Sequence, residues 1–149
     1  MVKRHQERSI LKDSYIVCDI PFPFIFNPNA KDHVGDTAIE SRLYSAVTGL
    51  DMSEKTSYEI GDMLSTLERA IACRDGRTRQ DDVLFEKYYT NLDAADRKYN
   101  REDLENSKSE FYQLKGWDVA SGIPSKKKLN SLGLNEVAAD LENRGLLPV

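Results

Sequence analysis

Residues 53–76 read SEKTSYEIGDMLSTLERAIACRDG and carry the clearest helical pattern in the chain. Ser53 is a good residue for capping the start of a helix, and Asp75-Gly76 is a typical stop. Between these ends, apolar side chains recur every three or four residues and form one stripe, at Ile60, Leu64, Leu67 and Ile71. This spacing predicts a long amphipathic helix.

Helical periodicity continues on both sides of this stretch. Before it, apolar residues recur from Ile39 to Leu50, and Gly49 marks the helix end. After it, the sequence predicts a helix at 82–90, a helix capped by Asn100 that ends near Gly116, and two short helices capped by Ser125 and Asn135 that stop at Gly133 and Gly145. No strand alternation interrupts this pattern, so the predicted fold is an all-α, irregular multi-helix domain.

The N-terminal region differs from the rest. Residues 20–28 read IPFPFIFNP, and prolines remove backbone donors and fix φ, so the segment should run extended. Phe22, Phe24 and Phe26 then lie on one side and need a cover, either from the helices or from another protein. We therefore predict a Pro/Phe-rich arm at 1–35 and one helical domain at 36–149.

Composition narrows the classes of function. The 149 residues carry a net charge of -4, which disfavours nucleic acid as the main partner because phosphate binding needs a basic face. No apolar run reaches the ~20 residues that span a bilayer, and no hydrophobic segment follows the basic start as in a secretory signal. A cytoplasmic protein is expected. Cys18 and Cys73 are then expected as free thiols, although a bridge between them stays open.

Catalytic chemistry is hard to build from this chain alone. His5 and His33 are not at metal-ligand spacing, and no nucleophile, phosphate-binding or zinc-protease motif occurs. Asp81 and Asp82 are adjacent, so they are interpreted as charges at a helix N-terminus rather than as an acid/base pair. By chemistry alone, Cys18 and Cys73 are small buried hydrophobes. No catalytic residue is predicted.

Three charged or aromatic features leave alternatives open. Arg74, Arg77 and Arg79 could face a cofactor or a neighbouring domain, or could complement a helix dipole. The lysines at 126–128 could dock an acidic partner, or could form a solvated helix face. Trp117 is expected to anchor the core.

Several short stretches resemble a known family in their order along the chain. The stretches are DSYIVC at 13–18, AVTGLD at 46–51, IG at 60–61, LERA at 67–70, RDG at 74–76 with Arg79, Asp81, Asp82 and Leu84, YQLKGWD at 112–118, and GIP at 122–124. They are similar to the C-terminal domain of the tungsten-containing aldehyde ferredoxin oxidoreductase family, where the first stretch usually reads Asp-x-x-Gly-Leu-Cys. The resemblance covers essentially the whole chain.

The resemblance implies a specific chemistry. In that family a tungsten ion, held by two pterin dithiolenes, lies beside a four-iron cluster, and the enzyme oxidises aldehydes to carboxylic acids and passes electrons to ferredoxin. By this resemblance the arm at 1–35 would face the cofactor, Asp13 would accept hydrogen bonds from a pterin and Cys18 would be the fourth thiolate of the cluster. The assignments of Asp13 and Cys18 suit the side chains, since four-iron clusters are held by thiolates and a carboxylate accepts N–H donors. The lysines at 126–128 could then dock an acidic ferredoxin.

The sequence also departs from the family pattern. Ile16 and Val17 stand where Gly and Leu are usual, and a β-branched residue resists the positive φ that glycine permits. The other three cluster cysteines, the first pterin motif and the proton-transfer residues all belong upstream of the matching region. One cysteine cannot hold a four-iron cluster, so this chain alone should carry no cofactor.

Two main hypotheses follow from this resemblance. The chain is the C-terminal part or a split subunit of a tungsten-pterin aldehyde oxidoreductase, active only with the missing upstream portion or a homologous larger chain. The alternative is a non-catalytic interaction or regulatory module, or a relict fragment, derived from that family. An independent DNA-binding domain has only the lysines at 126–128 in its favour.

Overall fold

A computed structural model of the protein describes residues 2–18, 27–92 and 97–148. These residues form seven α-helices, one 3-10 turn and no β-strand, which confirms the all-α prediction. The elements are α1 (Val2–Tyr15), α2 (Ile39–Thr48), α3 (Glu54–Arg74), the 3-10 turn (Arg79–Asp81), α4 (Lys87–Thr90), α5 (Arg101–Lys115), α6 (Lys126–Ser131) and α7 (Asn135–Asn143). No described helix has both the length and the apolar character needed to cross a membrane.

The chain forms two compact units, Met1–Ser65 and Thr66–Val149. The division falls inside α3, so this helix belongs to both. The predicted division into an arm at 1–35 and a domain at 36–149 stays a prediction. Residues 20–26 of the predicted Pro/Phe-rich segment lie outside the described residues.

In the first unit, hereafter unit 1, three helices meet through polar contacts. Helices α1 and α3 approach closely at Gly61, where an added Cβ would lie 2.5 Å from the carbonyl oxygen of Glu7. The guanidinium of Arg8 on α1 pairs with Glu40 on α2, and both side chains are buried. Ser41 and Ser57 join α2 to α3 through a hydroxyl–hydroxyl hydrogen bond of 2.8 Å. Hydrogen bonds and ion pairs therefore position these helices.

In the second unit, hereafter unit 2, an apolar core joins α3 to the C-terminal helices. Ala70, Leu129, Ala138 and Leu141 are nearly inaccessible to solvent and form one cluster. Partly buried apolar side chains surround them, including Ile123 and Leu146. This arrangement agrees with the predicted amphipathic character of the last two helices.

Several predicted helix boundaries are confirmed by their caps. Ser53 accepts a hydrogen bond from the Thr56 amide, and Asn100 accepts one from Glu102. Ser125 accepts a hydrogen bond from the Lys128 amide, and Gly49 ends α2 in the left-handed conformation. Local sequence was sufficient in these cases because capping involves residues only two to four positions apart.

Other predictions were wrong in detail. The sequence pattern did not predict the helix at 2–15, which lies within the predicted arm. The helix predicted at 82–90 covers only Lys87–Thr90, and residues 82–85 have no regular secondary structure. Asn135 is the first residue of α7 and does not cap it. In α3 the fully buried positions are mostly small or polar, while Ile71 of the predicted apolar stripe is exposed. The neighbouring segments that pack against α3 therefore decide which of its side chains are buried, and the spacing of its apolar residues does not.

Candidate functional site

The predicted cofactor residues lie at the C-terminal end of α1, where the backbone reverses direction. The Ile16 amide donates to the carbonyl of Asp13 at 3.1 Å, and the Val17 amide donates to the carbonyl of Lys12 at 3.0 Å. Ile16 has φ of 59°, in the left-handed region. These are the two hydrogen bonds of a Schellman motif, in which the residue after the helix is usually glycine.

Ile16 therefore occupies the position that glycine suits best. A left-handed backbone costs an L-residue roughly 1–2 kcal/mol, and β-branching adds stiffness at χ1. The side chain is 93% exposed, so little burial offsets this strain. The chain therefore keeps a turn that glycine would favour at position 16, although isoleucine stands there.

Asp13 and Cys18 lie on either side of this turn, and both are exposed. Cys18 is a free thiol, as is the buried Cys73. Among the described residues, no three or more His, Cys, Asp or Glu side chains converge in a way that could hold a metal ion. Cys18 could by itself supply only one of the thiolates that hold an iron–sulfur cluster.

Buried charges fix the helix from which this turn projects. Lys12 and Arg8 are both almost fully buried on α1, and Arg8 pairs with the equally buried Glu40. Burial and the neighbouring Arg8 lower the pKa of the Lys12 ammonium, while Glu40 and Asp13 oppose this effect. Ionic contacts of this kind depend on the positions of their partners, so they hold α1 in one orientation.

A cleft of about 550 Å³ lies elsewhere in unit 1, between α1 and the start of α3. It is lined mainly by charged side chains that already interact within the cleft. Lys3 pairs with Glu7 at 3.6 Å, and the Arg4 guanidinium lies 4.8 Å from the centre of the Tyr58 ring. Neither Asp13 nor Cys18 lines it, so the cleft is separate from the predicted cofactor residues.

Unit 2 contains a second polar cluster, which is centred on Asp82. The carboxylate accepts hydrogen bonds from Arg69 at 3.0 Å and from Arg77 at 2.7 and 2.9 Å, and from the hydroxyl of Tyr112. Arg69 also donates to the carbonyl of Gly122 at 2.9 Å. Gly122 has φ of 74°, and a Cβ there would lie 2.4 Å from the Arg69 guanidinium. The cluster thus ties α3, α5 and two loops together.

The protonation states of this cluster follow from its contacts. Burial would raise the pKa of Asp82, but the hydrogen bonds from Arg69, Tyr112 and Arg77 outweigh it and lower the pKa. Burial and the hydrogen bond to Asp82 raise the pKa of Tyr112 to about 12. Burial likewise raises the pKa of the Cys73 thiol. At neutral pH the cluster holds an ionised carboxylate among donors, an arrangement that suits structural support.

The interpretation of Asp81 and Asp82 as a pair of helix N-terminal charges was half right. Asp81 completes a capping box with Thr78 at the 3-10 turn. Asp82 instead points inward to partners that are 13 residues before it and 30 residues after it. Along 82–85 the structure partly buries Asp82 and Leu84 and exposes Val83 and Phe85, an alternation that the residue types do not show.

The remaining predicted residues have local roles. Arg79 donates to the carbonyl of Val119 and pairs with Glu105 at 2.8 Å, so it binds within unit 2. Trp117 is buried and packs edge-on against Phe111, which confirms it as a core anchor. His5 is exposed on α1, and His33 is exposed in a turn with φ of 57°. Lys126 pairs with Glu142 at 2.6 Å.

Comparison with known proteins identifies the class. Residues 1–134 match the sequence model of the family described as "aldehyde ferredoxin oxidoreductase, domains 2 & 3". This match covers most of the chain, so the protein belongs to the aldehyde ferredoxin oxidoreductase family.

A solved structure gives a more particular relative. The chain is similar to one chain of the active site complex BamBC of benzoyl coenzyme A reductase, solved in complex with 1,5 dienoyl-CoA. The two share 26% sequence identity with a TM-score of 0.65, over 76% of this chain and 16% of the other. The protein thus spans only about a sixth of the length of the relative that it matches.

Proposed function

We propose that this chain is the C-terminal part, or a split subunit, of a tungsten-pterin, iron–sulfur oxidoreductase that oxidises aldehydes to carboxylic acids and passes the electrons to ferredoxin. It works only together with the upstream portion of the enzyme or a homologous larger chain. The observation that carries the proposal is the Schellman turn of α1, which places Asp13 and Cys18 at an exposed edge in the spacing of the family motif. Family membership and the small share of the relative's length support it.

The residues of this chain would have limited but defined tasks. Cys18 would supply one thiolate to a four-iron cluster, and Asp13 would accept hydrogen bonds from a pterin N–H group. When bound, the tungsten-pterin centre supplies the two-electron chemistry and the cluster carries single electrons onward. The protein contributes binding, orientation and electrostatics. The buried charges of Arg8, Lys12 and Glu40 would keep α1 rigid, so that Cys18 stays in place.

The direction of electron flow and the substrate admit a second candidate. The similar solved chain belongs to a complex that binds a dienoyl-CoA and is named as a benzoyl-CoA reductase. That observation favours a reduction of an aromatic thioester as the alternative to aldehyde oxidation. Ferredoxin docking through residues 126–128 has less support than the sequence suggested, because Lys126 is already paired with Glu142.

The decisive experiment is anaerobic affinity purification of the chain from its own host, with iron and tungsten quantified in the eluate. We expect a co-purifying larger chain with both metals. Cys18→Ala should lower the iron content and change the electron paramagnetic resonance signal of the cluster in that assembly. The helicity of the lone chain should stay unchanged, because Cys18 is exposed.

Cys73→Ala is the matched control, because Cys73 is the other free thiol but is buried in unit 2. Iron content should be retained in this variant. If Cys18→Ala also retains the full cluster signal, the ligand assignment is wrong. If the wild-type chain purifies alone and without metal, the non-catalytic module is the better description. Assaying the metal-containing assembly with an aldehyde and with an aryl-CoA thioester separates the two candidate reactions.

A further inference from the structure

The C-terminal end of α1 is joined to the rest of unit 1 by Tyr15, the last residue of the helix. Its hydroxyl donates a hydrogen bond to the Sδ atom of Met52 at 3.3 Å. Its ring packs against the ring of Tyr44 on α2, with the ring centres 5.6 Å apart and the planes inclined by 33°. Tyr15 therefore contacts both α2 and the segment that leads into α3.

The partners of Tyr15 are themselves held in place. Met52 lies in the short connection between α2 and α3, and its amide donates to the hydroxyl oxygen of Ser45 at 3.0 Å. The Ser45 hydroxyl donates in turn to the carbonyl of Ser41, one turn earlier on α2, at 3.0 Å. Burial, followed by the neighbouring Tyr44, raises the pKa of Tyr15, so its hydroxyl stays protonated and donates. The contacts of Tyr15 thus join the end of α1 to ordered backbone.

Tyr15 lies between the two predicted cofactor residues in the sequence. Asp13 and Cys18 are exposed, and so is Ile16 at the centre of the turn, so these side chains offer little packing that could hold the turn. Tyr15 is partly buried and directly precedes Ile16, which has a left-handed backbone. A non-glycine residue keeps such a conformation only where surrounding contacts hold it. The contacts of Tyr15 supply a restraint of this kind.

Other contacts that fix α1 lie further from Cys18. The close approach of Glu7 to Gly61 and the ion pair of Arg8 with Glu40 lie about 10–12 Å before Tyr15 along the helix axis. These contacts set the direction of α1. The last turn of a helix frays unless it is held, so the contacts at Tyr15 decide where the end of α1 lies.

We propose that Tyr15 is a positioning residue, which holds the turn that presents the Cys18 thiolate to a four-iron cluster and the Asp13 carboxylate to a pterin. This inference rests on the proposed function and adds the residue that sets the geometry of its site. The residues of such a site have to be held within about 0.5 Å of their productive positions by packing and hydrogen bonds. The Tyr15 hydroxyl is directed towards Met52, so Tyr15 acts through the turn and not on the cofactor.

Two substitutions remove the contacts of Tyr15 in steps. Tyr15→Phe removes the hydroxyl and keeps the ring that packs on Tyr44, whereas Tyr15→Ala removes both contacts. Tyr58→Ala is the matched control, because Tyr58 is also partly buried and also joins α1 to α3, but through Arg4 near the other end of α1. Arg4 lies 11 residues before Tyr15, which is about 16 Å along the helix axis.

The first readout uses the full chain without partners. The amides of Ile16 and Val17 donate to the carbonyls of Asp13 and Lys12, so their hydrogen exchange reports whether the turn is formed. We expect both amides to exchange roughly tenfold faster in Tyr15→Ala, because local opening of the turn becomes easier. The increase should be smaller in Tyr15→Phe and absent in Tyr58→Ala. Equal rates in Tyr15→Ala and the wild type would overturn the inference.

The second readout uses the assembly purified anaerobically from the host. Tyr15→Ala should lose iron to a chelator about tenfold faster than the wild type, because residues that orient a metal ligand contribute strongly to metal affinity. It should also shift the electron paramagnetic resonance signal of the cluster, while Tyr15→Phe should restore most of the wild-type behaviour. Tyr58→Ala should keep the wild-type spectrum even where it lowers the unfolding temperature. Equal changes in Tyr58→Ala and Tyr15→Ala would show a general loss of stability and would refute a positioning role.

A double-mutant cycle tests the contact with Met52 and does not depend on the alanine variant being folded. Met52→Leu removes the sulfur acceptor and nearly conserves the volume of the side chain. It should speed the exchange of the turn amides as much as Tyr15→Phe does, and the double variant should show no further increase, because both changes remove the same hydrogen bond. Fully additive effects would contradict the proposed contact.

These outcomes keep the two proposals apart. If the wild-type assembly holds the cluster and Tyr15→Ala leaves its signal unchanged, the proposed function stands and Tyr15 is not the positioning residue. If no cluster accompanies the wild-type chain, the proposed function fails, and the role of Tyr15 at a cofactor fails with it.

Discussion

In unit 2 the buried side chains include an apolar cluster of Ala70, Leu129, Ala138 and Leu141. In unit 1, Leu11 is the one large apolar side chain that is buried among the described residues. The other buried side chains there are polar or charged: Glu7, Arg8, Lys12, Glu40, Ser41, Ser57, Asp62 and Ser65. Apolar residues of α2, such as Val47, are exposed instead.

The different composition of the buried residues suits the two units to different tasks, stability in unit 2 and precise positioning in unit 1. Apolar burial gives non-directional stability, so unit 2 is suited to be the stable part of the molecule. Ionic and hydrogen-bonded contacts add less net stability but restrict geometry. Unit 1 carries the predicted cofactor residues Asp13 and Cys18 on a helix positioned by such contacts. Its exposed apolar residues, such as Val47, are not used to stabilise the unit itself.

The largest expected effect tests where the apolar core lies. Leu129→Ala removes a side chain with no solvent exposure and leaves a cavity, so it should lower the free energy of unfolding by about 3 kcal/mol. Val47→Ala truncates an apolar residue of unit 1 that is 77% exposed. This substitution should change the free energy of unfolding by less than about 0.5 kcal/mol. Urea unfolding followed by circular dichroism measures both. Similar losses in the two variants would refute the contrast between the units.

An intermediate effect concerns the Asp82 cluster and pH. The pKa of Tyr112 is raised to about 12 in the folded protein from an ordinary value of 10, so the folded state holds this proton more tightly than the unfolded state. The resulting stability is fully present below about pH 10 and is lost as pH rises towards 12. Between these values we expect the wild type to lose about 2 kcal/mol more than Tyr112→Phe.

Hydrogen exchange at α5 and chemical denaturation across this pH range give the measurement. The wild type is compared with Tyr112→Phe at each pH. Because both proteins contain the same other tyrosines and lysines, the titration of those groups cancels in the comparison. Parallel pH profiles for the two proteins would show that Tyr112 is not held by Asp82 as the structure describes.

The smallest effect is a gain of stability in unit 1. Ile16→Gly relieves the left-handed backbone at the end of α1 and should stabilise the protein by about 1 kcal/mol. Ile16→Asn should give a smaller gain, because asparagine tolerates this conformation better than isoleucine does. Hydrogen exchange of the α1 amides should slow in the same order. Unchanged or faster exchange in Ile16→Gly would argue against a strained turn.

The sequence predicted well those features that depend on neighbouring residues. Helix ends at Gly49 and caps at Ser53, Asn100 and Ser125 were confirmed, because each involves a few adjacent positions. The order of short motifs was enough to predict the family, which the match over residues 1–134 confirms. The roles of Asp13 and Cys18 stay predictions from that resemblance.

Features that join distant residues needed the tertiary structure. The role of Asp82 depends on Arg69 and Tyr112, which neither periodicity nor spacing places beside it. The buried face of α3 was also out of reach, because the helix buries small and polar residues where Gly61 lets α1 approach and where Ser57 meets Ser41. An apolar period shows which face can be buried, but only the packed neighbours decide which face is.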